Sequence, residues 1–125
     1  MTMNDVKFDA LIGKILLSVD GNVGSDAMNF TTADGEIYQL YHGQDCCESV
    51  YIESIVGDIS DLIGSPILAA EEVSSQENPR DIRKEFESVT WTFYKLATIK
   101  GYVDIRWCGE SNGYYSENVD FKRVK

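Results

Sequence analysis

Between Ile15 and Glu77 the chain contains no lysine and no arginine; its single histidine, His42, is the one side chain there able to take a positive charge. Twelve acids fill the same stretch, from Asp20 to Glu77, and the net charge of the whole chain is −10. A surface of that sign repels phosphate backbones, so direct nucleic-acid binding is not expected, and cations or basic proteins are the partners it attracts. Other absences narrow the class. No apolar run approaches the roughly 18 residues a membrane span needs. The opening MTMNDVKFDALIGK lacks a basic start followed by an apolar block, so no secretory signal is expected. Cysteine is scarce and odd in number, at three, which fits a reducing compartment better than a disulfide framework. A cytoplasmic protein is the expectation. No P-loop, G-x-G-x-x-G, G-x-S-x-G or H-E-x-x-H pattern occurs.

What is present describes a small β-rich domain. The 125 residues suit a single domain, 1–125, and a chain of this size buries roughly two-thirds of its unfolded surface. Phe8, Leu11 and Ile12 have helical spacing within Asp5–Ile12, and Gly13 stops the turn. Ile15, Leu17 and Val19 then alternate on one face of a strand. Met28 and Phe30 share a face on the next strand. Asp34-Gly35 turns the chain into Ile37–His42, the most definite hairpin in the sequence. Both faces of that strand carry bulk, with Tyr38, Leu40 and His42 on one, so it belongs inside a sheet. Ser49–Val56 reads as a strand. A short helix over Ile59–Ile63 follows, capped by Asp58 and ended by Gly64. The strings DALIG and DLIG echo each other, each a turn stopped by glycine ahead of a strand. Pro66–Val73 and Ser88–Ile99 read as strands, and a mobile loop near 74–87 separates them. Tyr102–Cys108 places Val103, Ile105 and Trp107 inward. Gly109–Gly113 reads as a polar turn, and Tyr114–Val124 as the last strand with Val119 and Phe121 facing the core. The sum is an α+β, β-dominated fold: about eight mostly antiparallel strands in a sandwich or partial barrel, with one or two short helices.

The residues able to do chemistry gather in Tyr38–Glu53. His42, Asp45, Cys46, Cys47 and Glu48, with distant Cys108, offer imidazole and thiolate donors, but adjacent cysteines depart from the usual two-to-four residue zinc spacing. A thiolate–imidazolium pair is opposed by the flanking carboxylates, which raise a thiol pKa. A vicinal disulfide is strained and disfavoured by the expected compartment. Asp20, Asp26, Asp34 and Glu36 could meet a hard cation, but no calcium-loop spacing is present, and a solvated acidic rim is favoured. No cofactor is expected. The candidate binding residues are His42, Asp45, Cys46, Cys47, Glu48, Glu53, Trp107, Glu110, Asn112, Tyr114 and Tyr115. Of these, Trp107, Asn112, Tyr114 and Tyr115 supply the aromatic and amide chemistry of a binding loop, with Glu110 among them.

The motifs YHGQDCCESVYIE and GESNGYYSE, within QDCCESVYIESIVGDISDLIGSPILAAEEVSS and TWTFYKLATIKGYVDIRWCGESNGYYSENVDF, resemble a family of small acidic proteins from phages and bacterial genomes, known as a domain of unknown function. The resemblance runs from Leu11 to about Phe121. It brings no enzymatic role and no catalytic residues. It implies a phage or mobile-element setting, in which small acidic proteins serve as accessory factors that bind host proteins, inhibitors of host defence among them. The expected function is therefore a non-enzymatic accessory protein docking its acidic half on a basic, nucleic-acid-binding partner. The alternative is a small-molecule or metal-binding domain that uses the His42/Cys46/Cys47 turn and the 111–115 loop. A homo-oligomeric structural component is the third expectation.

Overall fold

The computed structural model describes residues 6–44, 46–77, 88–111 and 116–125. Eight strands follow in chain order: β1 (Leu16–Asp20), β2 (Ala27–Thr32), β3 (Ile37–Tyr41), β4 (Ser49–Val56), β5 (Ala69–Glu77), β6 (Ser88–Thr98), β7 (Gly101–Ser111) and β8 (Asp120–Arg123). They form two four-stranded antiparallel sheets, in the orders β1-β2-β3-β8 and β4-β7-β6-β5. One hydrophobic cluster takes side chains from both, including Phe30, Leu40 and Phe121 from the first and Ile52, Tyr94 and Trp107 from the second. The architecture is thus a sandwich and not a closed barrel. Both helical pieces are single 3-10 turns, Phe8–Leu11 and Ile59–Leu62, and no described helix is long and apolar enough to cross a membrane.

Alternation explains most of this. Met28 and Phe30 on β2, Tyr38 and Leu40 on β3, and Val103, Ile105 and Trp107 on β7 are all buried, while the residues between them are more exposed. Burying a large apolar side chain contributes about 1.5–3 kcal/mol, so the inward set of each strand fixes its register. At the Asp34-Gly35 turn, Thr32 Oγ1 receives the Glu36 N–H at 3.0 Å and donates to Asp34. β3 lies between β2 and β8, as its two bulky faces require. The first 3-10 turn drives Phe8 into the core, edge-on to Tyr94 at 4.7 Å and to Phe121 at 5.2 Å between ring centroids.

Four expectations need correction. In β1 the buried side chain is Leu16, whereas Ile15 and Leu17 are exposed and Val19 is half-buried. The pairing with β2 skips from Leu16↔Thr32 to Ser18↔Thr31, and this bulge at Leu17 breaks the simple alternation. The strand expected over Pro66–Val73 runs later, so 74–77 belong to β5; the remainder of the expected loop, 78–87, lies outside the described residues. β7 continues through Gly109 and Glu110 to Ser111, where a turn was expected. The last strand is confined to Asp120–Arg123.

The repeated turn-and-glycine string has a structural counterpart. Gly13 and Gly64 stop the two 3-10 turns with nearly equal φ values of 87° and 84°, a left-handed conformation glycine adopts without penalty. The segments that follow lie against each other: Gly13 N–H donates to Ile67 O (2.8 Å), Ile67 N–H to Lys14 O (2.9 Å) and Gly64 N–H to Leu16 O (3.0 Å). A second seam joins the β1–β2 loop to β4, through Gly24 N–H to Ile52 O (2.7 Å) and Ile52 N–H to Ser25 O (2.9 Å). These seams lace the first sheet to the second.

Candidate functional site

The alternation that buries Tyr38 and Leu40 carries His42 to the same side of β3, and the alternation that buries Val50 and Ile52 does the same for Glu48 ahead of β4. They meet at one end of the sandwich. His42 Nε2 is 2.7 Å from Glu48 Oε2, and Nδ1 is 2.7 Å from the Asn118 carbonyl oxygen. Their side chains are 3% and 0% exposed. The 43–48 turn folds around this pair: Cys46 N–H donates to Glu48 Oε1 at 2.9 Å, and Gln44 Nε2 donates to the carbonyls of Glu48 (2.7 Å) and Cys46 (3.2 Å). Cys46 and Cys47 stand exposed on the turn and are joined to each other as a vicinal disulfide. That pairing corrects the sequence expectation: adjacency on an exposed turn brings the two sulfurs together, and both nitrogens of His42 are committed elsewhere.

A second buried carboxylate closes the same end. Glu117 receives Thr90 Oγ1 at Oε1 (2.6 Å) and the Ser111 hydroxyl at Oε2. It lies directly over Gly109, where an added Cβ would sit 2.7 Å from Glu117 Cβ and 2.8 Å from its carbonyl oxygen. The segment from Ser116 to Val119 therefore both covers Gly109 and delivers the Asn118 carbonyl to His42. Buried carboxylates are tolerated only when donors satisfy them, and both are satisfied by protein groups.

The remaining candidates lie elsewhere. Glu110 is buried on the other face of β7, where it receives the Tyr51 hydroxyl at 2.9 Å and the Cys108 thiol at 3.7 Å. Burial, and then donation to Glu110, push the Tyr51 hydroxyl up to about 12. Glu53 pairs with Arg106 (2.9 Å to Nε, 2.5 Å to Nη2), whose guanidinium lies 4.9 Å from the Trp91 ring centroid. Trp107 is fully buried and walls the core instead of facing a ligand. Asp45, Asn112, Tyr114 and Tyr115 lie outside the described residues. So His42, Cys46, Cys47 and Glu48 come together, while Glu53, Trp107 and Glu110 separate from them. Among the described residues no group of three or more His, Cys, Asp or Glu side chains is placed to hold a metal ion. Sequence reasoning missed Glu117 and Thr90, and it set Ser111 in a ligand loop instead of against a buried carboxylate. One signal was available: Ser111 shares a face with buried Trp107, and an inward hydroxyl needs a partner.

The acidic rim is also partly neutralised. Lys14 reaches Glu36 at 2.7 Å and Asp34 at 3.8 Å, and Arg123 reaches Glu36 at 3.2 Å, so bases from either side of the acidic stretch converge on its hairpin. The Lys14 hydrogen bond, with help from Tyr38 and Arg123, holds Glu36 below the usual carboxylate range, and the Thr32 hydroxyl does the same for Asp34. Asp20 and Asp26 remain exposed.

Two clefts among the described residues bear on function. One, of about 760 Å³, lies between β5 and β8 with the first 3-10 turn beside it; Asp9, Glu71, Glu72, Asp120 and Lys7 line it together with Phe8, Tyr41 and Phe121. The other, of about 700 Å³, lies beside the cysteine turn and is lined by Gly24–Ala27, Gln44 and 48–51.

A model of a family described only as a domain of unknown function, DUF7448, matches residues 9–121. No curated protein and no solved structure matches the chain.

Proposed function

We propose, for a chain that belongs to the DUF7448 family of domains of unknown function, a non-enzymatic role: docking an acidic surface on a basic protein partner. The observation that carries this reading is the β5–β8 cleft, where four carboxylates (Asp9, Glu71, Glu72 and Asp120) face one ammonium, that of Lys7, beside aromatic surface. Among the acidic candidates, Glu48 is buried and Glu53 is paired with Arg106, so the contact surface falls to the cleft's Glu71 and Glu72, both exposed. Complementary charge speeds encounter and selects partners more than it sets final affinity. The resemblance of the chain to small acidic phage proteins points to a nucleic-acid-binding host protein as the partner, met in the host cytosol and blocked by occupation of its basic face.

The test is capture by immobilised protein from host lysate across a salt series, with the Glu71→Lys/Glu72→Lys variant alongside. Charge screening shortens from about 10 Å at 0.1 M salt to about 3 Å at 1 M. A basic partner should be retained at low salt, released at high salt and lost with the variant. Retention that ignores both salt and the charge reversal overturns the reading. The second cleft favours one alternative, a small polar ligand held by Asp26, Gln44, Ser49 and Tyr51. A ligand there should raise the melting temperature of the wild type and leave that of Gln44→Ala unchanged.

A further inference from the structure

Resting on this acidic-docking reading, we infer that the occupant of the β5–β8 cleft is an extended basic peptide segment that adds as a strand to the outer edge of β5. β5 ends its sheet, and among the described residues its ladder is with β6 alone. An edge strand turns alternate N–H and C=O groups away from its partner, and an extended chain can pair with them. Such strand addition draws affinity from main-chain hydrogen bonds and specificity from pockets for every second side chain. β5 carries acidic Glu71 and Glu72 where it borders the cleft, so the matching strand is cationic.

One carboxylate is already oriented for the task. The Tyr94 ring is fully buried, and its hydroxyl donates to Glu72 Oε2 at 2.6 Å, where Glu72 is exposed at the rim. Burial first, and then this bond, push the Tyr94 hydroxyl far above its ordinary value, so it stays a donor at any working pH. Glu72 also lines the cleft, so the carboxylate that Tyr94 holds is within reach of an occupant. A lysine or arginine on the incoming strand meets a carboxylate whose rotamer is already fixed, which lowers the ordering cost of binding. Apolar side chains at the same edge find Phe8 and Phe121.

Competing occupants fit less well. Phosphate-bearing chains would be repelled by the four carboxylates. A second copy pairing here by two-fold symmetry would bring a second Glu71 and Glu72 to the same acidic edge, and like charges close together oppose association. The stretch 69–75 would match a partner strand of about 20–25 Å.

The inference is tested by fluorescence anisotropy of the intact chain with an end-blocked, dye-labelled heptapeptide alternating valine and lysine. Two further peptides keep the side chains but carry N-methyl groups on one or the other set of alternate backbone nitrogens. Strand addition predicts that one methylated set weakens binding at least tenfold while the other is tolerated. It also predicts that Glu72→Gln, which keeps an acceptor for Tyr94, weakens the parent peptide several-fold without changing the melting temperature. If both methylated peptides bind as tightly as the parent, strand addition is wrong, while salt-sensitive capture of a basic protein would leave the docking reading standing. If no peptide binds even at low salt, the inference falls; if basic proteins are not captured either, the docking reading falls with it.

Discussion

The imidazole of His42 and the carboxylate of Glu48 meet at 2.7 Å inside one end of the sandwich, with the Asn118 carbonyl 2.7 Å from the other ring nitrogen. Each ring nitrogen thus faces an oxygen, one from a side-chain carboxylate and one from the backbone. The pair ties three separate pieces of chain: the end of β3, the cysteine turn and the segment before β8. Removing one member of a buried, hydrogen-bonded pair strands the other and costs about 1–3 kcal/mol, whereas replacing both with apolar groups of the same shape can be close to neutral. His42→Ala should therefore lower the urea-denaturation free energy by about 1–3 kcal/mol. The double variant His42→Leu/Glu48→Met should recover much of the loss. A His42→Ala protein as stable as the wild type would mean that the pair holds nothing together.

Gly109 offers an independent probe of the same end. Its missing side chain makes room for Glu117, and an added methyl would meet Glu117 Cβ at 2.7 Å and its backbone oxygen at 2.8 Å. Overpacking of this kind costs about 1–3 kcal/mol. Gly109→Ala should lower stability by that much. Gly43→Ala, where an added Cβ has nothing within 4 Å, should leave it nearly unchanged. Thermal melts of the two variants side by side make the comparison; equal melting temperatures would show that the segment 116–119 does not pack over β7.

These two residues also show which features the sequence could disclose. Strands whose alternation runs unbroken were readable: Val103, Ile105 and Trp107 face in, and the Asp34-Gly35 hairpin pairs as its turn chemistry requires. β1 was misread because a bulge is a pairing event between strands and leaves no mark in one strand's composition. Gly109 looked like turn punctuation, yet it is a strand residue chosen for space. Glu48 looked like surface charge between loop and strand; carrying the inward set of β4 back from Ile52 and Val50 would have placed it inside. Glu117 falls in the same alternating set as Val119 and Phe121, but its partners Thr90 and Ser111 come from two other strands and could not be read from that segment. Buried polar clusters are assembled by topology, and that is why the candidate residues scattered when the chain folded.

The Lys14–Glu36 contact predicts a pH dependence of stability. Glu36 is held below its ordinary value of 4.5, first by the Lys14 hydrogen bond, so in acid the unfolded chain binds the proton more readily than the folded one. The contribution is therefore present above pH 4.5 and is lost as pH falls through the lower folded value. Lys14 is raised from 10.5, chiefly by Glu36, so the same contact persists below pH 10.5 and is lost only as pH climbs through the raised value. Melting temperatures measured from acid to neutral pH should fall less steeply on the acid side in Lys14→Met than in the wild type. Parallel curves would remove the pair from the account.

The three cysteines should divide two to one in reactivity. Cys46 and Cys47 are exposed on their turn, whereas Cys108 is 1% exposed with its sulfur against Glu110. A thiol reagent needs access to the sulfur, and burial denies it until the structure opens. After mild reduction and removal of the reductant, a chromogenic disulfide reagent should titrate two thiols quickly in native protein and the third only in denaturant. The slow labelling of Cys108 should then accelerate in Gly109→Ala, since the neighbouring residue of β7 has lost stability and the strand opens more often. Fast labelling of all three in the native wild type would contradict the burial of β7's outer face. Rapid loss of only one thiol would place Cys46 and Cys47 in different environments, against their shared position on the exposed turn.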